Sequence, residues 1–454
     1  MASNVLRSLA LVSAIALIPA ATAGMAQVDA DSYQSMDKFM SVFERVRAQY
    51  VEQVDDERLI KGAIDGMLAS LDPHSSYLDE RSFRSLMTTT EGNYGGLGLS
   101  VTMEDGAVKV IAPTRDTPAD RAGIKAGDFI THIDGRLFYG GTLDEAVERM
   151  RGEPGTSVRL TIVRPGRDRP FDVNITRAVV NIEAARSEVK NNVGVITVTT
   201  FNRNTTEAVA TEIQKVQRAA GASLQGFVID LRSNPGGLLD QAIGLSDLFL
   251  ERGEIVSQRG RRREDIQRWH ARPGDITNGL PIVVLVDAGT ASAAEIVAAA
   301  VQDHRRGIVM GERTFGKGSV QSVIELGDNQ TAIRLTTARY YTPSGRSVQE
   351  GGIAPDVLVP QLSDPDYRSR NRVRESDLRR HLVNEAAVGE DVIRDDQRPD
   401  PRFTATPEQL RTRGIDDYQL HYAIQTLARL PRTGTAAAPA PAAAGGGASR
   451  SPRR

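Results

Sequence analysis

Between residues 193 and 310, four apolar runs typical of buried strands alternate with three helical patterns. Because buried strands that are joined through helices favour parallel pairing, this alternation predicts a mainly parallel sheet with crossover helices. We assign residues 169–360 to this α/β domain. The predicted strands are Val193–Val198, Gly226–Leu231, Pro281–Val286 and Gly307–Met310, and the predicted helices are Thr206–Ala219, Leu239–Phe249 and Ser292–Asp303.

Two smaller regions precede this domain. Residues 27–84 carry apolar side chains at helical spacing and are predicted to form a helical N-terminal unit. Residues 85–168 begin with a glycine-crowded loop and continue with short strand-like runs around one helix, Leu143–Met150. Such a pattern predicts a small, partly open β-barrel. Its strands are predicted at Leu97–Val101, Val108–Ile111, Phe129–Ile133 and Val158–Val163.

The two ends of the chain differ from the rest in composition. In residues 1–26, Arg7 precedes a short apolar run and small residues follow it, which indicates a signal peptide and export to the periplasm or cell envelope; an uncleaved anchor is the alternative. Residues 361–432 form a polar C-terminal extension with one amphipathic helix predicted around Tyr418–Leu427. Residues 433–454 are rich in Ala, Pro and Gly, and we expect a disordered tail.

Composition excludes several classes of function. Lys and Arg total 56 against 58 Asp and Glu, so the net charge of −2 gives no general attraction to nucleic acid. The chain has no cysteine, which removes disulfides, thiolate metal sites and cysteine nucleophiles. None of the six histidines pairs with another at metal-ligand spacing, and we expect neither a metal nor another cofactor.

One serine lies where a buried strand is predicted to turn into a helix. Asp287 ends the strand, small residues follow, and the helix begins near Ser292. At such a position the serine Oγ faces the carboxyl edge of the sheet, and N–H groups of the first helical turn can stabilise negative charge beside it. This arrangement predicts a nucleophile, and a simple helix N-cap is the alternative.

A lysine between two glycines can supply the base. The segment Gly311–Gln321 nearly matches the phosphate-binding G-x-x-x-x-G-K-[ST] loop, but Gly318 lacks the required hydroxyl and the following residues are typical of a strand. On that strand Lys317, Ser319 and Gln321 are predicted to share one face. Burial would lower the pKa of Lys317, as a general base requires, and Gln321 would orient its amine. A surface lysine in a hairpin is the alternative.

A third segment can supply an oxyanion hole. The predicted strand Val228–Leu231 opens into a turn that contains Pro235, Gly236 and Gly237. Glycine permits close approach to the backbone, so the N–H groups of this turn can stabilise a developing oxyanion.

Together these segments resemble the carboxyl-terminal processing peptidases, the tail-specific serine proteases, over about Tyr33–Pro360. The landmarks are Leu71–Leu78, the glycine-rich insert, Asp230–Gly237, Thr290–Glu295 and Phe315–Gln321. The resemblance implies that Ser292 is the nucleophile, Lys317 the base and Gln321 its support, with Ala293 and a glycine of the pair Gly236 and Gly237 as the oxyanion hole. Asp303 matches an acidic position that is sometimes included in the charge-relay group. The family often has Ser where Thr290 and Ala294 stand here.

The glycine-rich insert resembles a PDZ domain. Gly96, Leu97, Gly98 and Leu99 match its carboxylate-binding loop, whose N–H groups capture a peptide C-terminus while the peptide adds a strand. The expected partners are therefore protein or peptide substrates with accessible C-termini.

These observations predict an exported serine endopeptidase. A catalytically inactive PDZ scaffold of the cell envelope is the alternative, and docking of an adaptor or homo-oligomerisation remains open. Arg151, at the end of the predicted PDZ helix, either caps that helix or registers a bound C-terminus and gates the protease. His74 lies in a predicted helix-ending turn, and we expect it to be structural.

Overall fold

The computed structural model describes residues 30–327, 330–367, 369–370, 372–384 and 400–430. The predicted signal peptide and the predicted C-terminal tail lie outside these residues. Within these ranges, no helix combines the length and the apolar character that a membrane span needs. The chain divides into two compact units at Gly66. The described part of the first unit contains the helix α1 (Ala30–Gln49) and most of α2 (Asp56–Ala69), which confirms the helical N-terminal region.

The PDZ-like domain is a twisted antiparallel sheet with two short helices. Its strands pair in the order β3-β4-β5-β7-β8, and β6 pairs with β5. Inward-facing Val, Ile, Leu and Phe side chains fill the barrel. The strands are β3 (Leu99–Glu104), β4 (Ala107–Pro113), β5 (Phe129–Ile133), β6 (Arg136–Leu137), β7 (Ser157–Val163) and β8 (Phe171–Thr176), and the helices are α4 (Pro118–Arg121) and α5 (Leu143–Met150).

The predicted boundary at residue 168 divides this sheet. Strand β8 pairs along β7, and its alternate residues Phe171, Val173 and Ile175 face the barrel core. The period-two apolar pattern of β8 therefore belongs to the PDZ-like domain, and the α/β domain begins after it.

The α/β domain is built on a six-stranded sheet in the order β10-β11-β12-β15-β16-β19, in which β10 alone runs antiparallel to its neighbour. This confirms the predicted mainly parallel sheet. Helices α6, α7 and α8 cover one face with a continuous apolar core. The strands are β10 (Ala185–Lys190), β11 (Val193–Val198), β12 (Gly226–Asp230), β15 (Ile282–Val286), β16 (Ile308–Gly311) and β19 (Val357–Leu358), and the helices are α6 (Thr205–Ala220), α7 (Leu239–Asp247) and α8 (Ala293–Asp303).

A second, antiparallel sheet that the sequence did not predict lies beside the first. The long strand β18 pairs with β1, β13 and β17, and β13 also pairs with β14. The strands are β1 (Ser76–Leu78), β13 (Glu254–Gly260), β14 (Gln267–His270), β17 (Ser319–Glu325) and β18 (Ala332–Tyr341). The helix α3 (Glu80–Glu91) and the paired strands β2 (Asn93–Gly96) and β9 (Ala178–Asn181) adjoin the PDZ-like domain.

The C-terminal extension is part of the protease core. The helices α9 (Pro407–Thr412) and α10 (Tyr418–Leu427) cover the second face of the parallel sheet with apolar side chains. At the carboxyl end of β12, the Arg232 guanidinium is 2.7 Å from both Asp230 and Asp417. The extension is therefore fastened to the strand end from which the predicted oxyanion loop leaves.

Candidate active site

Ser292 lies at the sharp turn between β15 and α8, as the sequence predicts. Its backbone has φ 55° and ψ −117°, a conformation that residues other than glycine rarely adopt. Such a residue stores about 1–3 kcal/mol of strain and is held by its surroundings. Thr290 secures the turn because its Oγ1 donates to the Leu231 carbonyl at 2.9 Å. The result is a strained turn between strand and helix, the backbone form on which a nucleophile elbow is built.

The glycine turn after β12 lies directly against this elbow. A β-carbon added to Gly236 would be 2.9 Å from both Ser292 Cβ and Ala293 N. The Ala291 N–H donates to the Asn234 carbonyl at 2.9 Å, so the two turns are joined through their backbones. The structure thus brings together the predicted nucleophile and the predicted oxyanion turn.

The N–H groups of the glycine turn and of the Ser292 elbow differ in whether they already donate a hydrogen bond within the protein. Gly236 N donates to Asn234 Oδ1 at 2.8 Å and is therefore engaged. In the described part of the chain, Gly237 N and Ala293 N donate to no protein acceptor. Of the predicted donors, Gly237 and Ala293 are consequently the pair that remains free to bind an oxyanion.

A buried carboxylate connects the Ser292 elbow to the Lys317 loop. Glu295 is completely buried. Its Oε2 accepts from Ser292 N at 2.7 Å and from Lys317 N at 2.9 Å. Its Oε1 accepts from Thr314 Oγ1 at 2.5 Å and from Gly316 N at 2.8 Å. Burial raises the pKa of Glu295 to about 7, although each of these four hydrogen bonds favours the ionised form.

Sequence reasoning did not assign a role to Glu295. The available signal was the spacing of Ser292 and Glu295, which matches the Ser-x-x-Glu pattern of a helix capping box. In this protein the Glu295 carboxylate does bind the Ser292 N–H, but it also reaches a loop 22 residues further along the chain.

Lys317 is held in an environment that favours its neutral form. Burial and the nearby Arg334 charge lower the pKa of Lys317, against the opposing effects of Glu375, Glu295 and Asp72. Lys317 lies in the loop before β17 rather than on that strand. Because this loop leads into a strand and not a helix, the segment does not have the form of a nucleotide-binding P-loop.

Gln321 lies on β17 and is tethered by neutral groups. Its Nε2 donates to Ser319 Oγ at 2.9 Å and to Thr336 Oγ1 at 3.2 Å. Ser319 and Gln321 therefore share a face as predicted, whereas within the described residues no hydrogen bond joins Gln321 to the Lys317 amine.

The structure does not bring Asp303 to this site. Asp303 ends α8, an 11-residue helix, so it lies about 15 Å along the helix axis from the Ser292 end. Its carboxylate accepts from Ser344 N at 2.9 Å and from Arg346 Nη2 at 2.7 Å. These bonds give Asp303 a structural role at the far end of the helix.

The predicted peptide-binding loop joins β2 to β3. Gly98 has φ 77°, and a β-carbon there would lie 2.3 Å from Thr117 Cβ, so the loop requires glycine. Among the described residues, Leu97 N and Gly98 N donate to no protein acceptor. These two N–H groups are available for a terminal carboxylate.

Arg151 is the C-cap residue of α5, as predicted, and its backbone N–H donates to the Val147 carbonyl at 2.9 Å. The carbonyls of Arg149 and Met150 accept from the Arg177 guanidinium, each at 3.0 Å. The Arg151 guanidinium lies 4.7 Å from the centre of the Tyr94 ring. This pair lines a cleft of about 1090 Å³ that extends from α5 to Arg334, the residue whose charge acts on Lys317.

The strained backbone at Ser292 leads to a stability prediction. Ser292→Gly should be more stable than Ser292→Ala by about 1 kcal/mol, because glycine adopts φ 55° without a β-carbon clash. Thermal or urea unfolding of the two variants measures the difference. Equal stabilities would show that the turn is not strained.

Comparison with known proteins agrees with this arrangement. Residues 192–359 match the model of peptidase family S41, residues 109–164 match a PDZ domain, and residues 15–82 match the N-terminal domain of the activating protease CtpB. The carboxy-terminal-processing protease of Bartonella bacilliformis is 49% identical over 354 residues, covering 78% of this chain and 81% of that protein. The carboxy-terminal processing protease CtpA of Bacillus subtilis is 36% identical over 334 residues, covering 73% and 70%.

Among solved structures, the photosystem II D1 C-terminal processing protease aligns with 76% of this chain and 98% of its own, at 28% identity and a TM-score of 0.42. The PDZ and S41 family models fall in the PDZ-like and the α/β domains, and each of the two relatives matches more than two thirds of this chain. The chain belongs to the carboxy-terminal processing proteases of peptidase family S41.

Proposed function

We propose that this chain is an exported serine endopeptidase that engages the C-terminal region of protein substrates through its PDZ domain and cleaves them with a Ser292–Lys317 dyad. The observation that carries the proposal is the Glu295 carboxylate, which holds the backbone N–H groups of both residues on one oxygen. Export is supported by the sequence pattern of residues 1–26.

In the proposed reaction, neutral Lys317 accepts the proton of the Ser292 hydroxyl as its oxygen attacks the substrate carbonyl carbon. The carbonyl oxygen becomes an oxyanion bound by the N–H groups of Gly237 and Ala293. When the peptide bond breaks, Lys317 returns the proton to the departing amine. Water then attacks the acyl-enzyme, with Lys317 again the base, and releases the second product and free Ser292.

The dyad is tested with three substitutions. Ser292→Ala and Lys317→Ala should each lower kcat for peptide cleavage by at least about 10³-fold. Lys317→Arg should be as inactive, because a guanidinium stays protonated and cannot act as a base. Lys215→Ala, which removes an exposed lysine from α6, serves as the control and should match the wild type.

A fluorophosphonate probe distinguishes the alternatives in the same experiment. Labelling of the wild type that disappears in Ser292→Ala identifies an active serine. Absent labelling and absent cleavage in a folded wild-type protein would favour an inactive PDZ scaffold. Substantial cleavage by either alanine variant would rule out the dyad.

Activity should rise with pH. Lys317 must be neutral to act as a base, and burial lowers its pKa, so activity increases as pH rises through that lowered value. Ionisation of Glu295, whose pKa is about 7, acts in the same direction because only the ionised carboxylate can accept all four hydrogen bonds. A profile of kcat against pH on the folded enzyme measures this rise, and a flat profile from mildly acidic to alkaline pH would contradict the assignment.

The PDZ domain is proposed to gate the site through Arg151. Support comes from the cleft that is lined by Arg151, Tyr94 and Arg334. The charge of Arg334 acts on Lys317, the proposed base. A peptide with a free apolar C-terminus should be cleaved faster than its amidated counterpart, and Arg151→Ala should reduce that difference without changing the fluorophosphonate reaction. Equal rates for the two peptides would leave the PDZ domain without a gating role.

A further inference from the structure

A largely buried hydrogen-bonded pair, His74 and Glu375, joins a family landmark to the C-terminal extension next to the base loop, which we define as Phe315–Gly318. Glu375, on a short 3-10 turn of the C-terminal extension, is fully buried. Its two carboxylate oxygens accept from His74 Nε2 at 2.9 and 2.8 Å. The two residues are 301 positions apart in the sequence. Burying a carboxylate is costly, so such a pair must be held in place by precise contacts.

Glu375 reaches the base loop by two routes. Its backbone N–H donates to the Phe315 carbonyl at 3.1 Å. Its Oε1 accepts from Gln349 Nε2 at 2.9 Å, and Gln349 Oε1 in turn accepts from Gly318 N at 3.1 Å. Phe315 and Gly318, which flank Gly316 and Lys317, are therefore bonded to Glu375, directly or through one amide.

The base loop has little space to move against these partners. Glu350 N donates to the Gly316 carbonyl at 2.9 Å. A β-carbon on Gly318 would lie 2.3 Å from Gln349 N, and one on Gly316 would lie 2.5 Å from the Glu350 carbonyl oxygen. The loop is thus packed backbone to backbone on Gln349 and Glu350, and a shift of either would move Lys317.

A second histidine–glutamate pair fixes the same support. His381 Nε2 lies 2.6 Å from Glu350 Oε1, and Asn384 Nδ2 donates to the Gln349 carbonyl at 2.9 Å. His381 and Asn384 therefore bond the two residues, Glu350 and Gln349, on which the base loop packs.

His74 extends the network into the turn before β1. Its carbonyl accepts from Arg334 Nε at 3.1 Å. Two residues earlier, Asp72 Oδ1 accepts from Thr336 Oγ1 at 3.1 Å, and Thr336 also bonds Gln321. The turn is therefore bonded to β18 and is joined to the C-terminal extension through the hydrogen bonds between His74 and Glu375.

We propose that His74 and Glu375 are positioning residues for the catalytic base: their hydrogen-bonded pair fixes Gly318 through Gln349, and Phe315 directly, so that Lys317 is aimed at Ser292. The proposal rests on the proposed function, in which Lys317 is the base. It gives the C-terminal extension a part in catalysis.

The charge of Glu375 has a second, measurable effect. The charged groups that face Lys317 are Arg334 on β18, Glu295 on α8, Asp72 in the turn and Glu375 in the extension. Glu375 favours the ammonium form of Lys317, so its removal lowers the pKa of Lys317 further. Activity requires the neutral amine, and its rise with pH should then occur at lower pH.

The test uses the full chain and two pairs of variants. Glu375→Gln should move the midpoint of the kcat–pH profile to lower pH by roughly 0.5–1 unit, with KM within about twofold of wild type. Asp377→Asn is the matched control, because it removes a neighbouring carboxylate that accepts from Arg374 N and should leave the profile unchanged.

The second pair tests position without depending on Glu375. His74→Ala should lower kcat roughly tenfold or more, since small misplacements of catalytic groups are costly. His74→Gln retains an N–H donor for Glu375 and should recover most of the activity. If Glu375→Gln does not fold, the comparison between the two His74 variants decides.

The outcomes separate this proposal from the dyad itself. If Lys317→Ala is inactive while folded Glu375→Gln and His74→Ala keep wild-type kcat and pH midpoint, the positioning proposal is wrong and the dyad stands. If His74→Gln is as impaired as His74→Ala, the donor to Glu375 is not what matters and the proposal fails. Activity in Lys317→Ala would instead overturn the proposed function.

Discussion

The site depends on one buried carboxylate. Glu295 lies in the first turn of α8, which packs on the parallel sheet. Its four hydrogen-bond donors come from the Ser292 elbow and from the loop that contains Lys317. An isolated carboxylate would be strongly unfavourable at this depth, and the raised pKa reflects that cost. The four donors offset this cost. Displacement of either loop would therefore leave the buried Glu295 carboxylate short of hydrogen-bond partners.

The rest of the fold supplies fixed attachment points for these two loops. The parallel sheet delivers the ends of β12 and β15 to one edge, where the turn with Gly237 meets the Ser292 elbow. The antiparallel sheet carries β17 and with it the exit of the Lys317 loop. The C-terminal extension contacts the supports of both loops. Asp417 binds Arg232 at the end of β12, and Glu375 binds Gln349 beside the base loop.

Much of the α/β domain and of its site could be predicted because local sequence patterns encode them. The buried runs that form β11, β12 and β15 and the helices between them follow from apolar periodicity, and Ser292 and Gly237 sit at the element ends that periodicity defines. The amphipathic helix Tyr418–Leu427 was found at its observed bounds for the same reason.

The parts that could not be predicted depend on distant pairings. The antiparallel sheet joins strands as far apart as β1 and β18, and no local pattern encodes that register. Gly237 rather than Gly236 has a free N–H group because the Asn234 side chain accepts from the Gly236 N–H. The Arg177 guanidinium binds the last carbonyls of α5 because Arg177, between β8 and β9, lies at that helix end, and no local pattern indicates this contact. His74 and Glu375 lie too far apart in sequence for either to indicate the other.

Whether one carboxylate holds both the Ser292 elbow and the Lys317 loop is tested most directly by Glu295→Gln. The amide places an NH₂ group against one pair of donors, either Ser292 N with Lys317 N or Thr314 Oγ1 with Gly316 N. That pair loses its acceptor while the size of the side chain is unchanged. Measured on folded protein, kcat should fall roughly tenfold or more with KM within about twofold, because loop position rather than substrate binding is lost. A folded Glu295→Gln enzyme with kcat within twofold of the wild type would contradict the account.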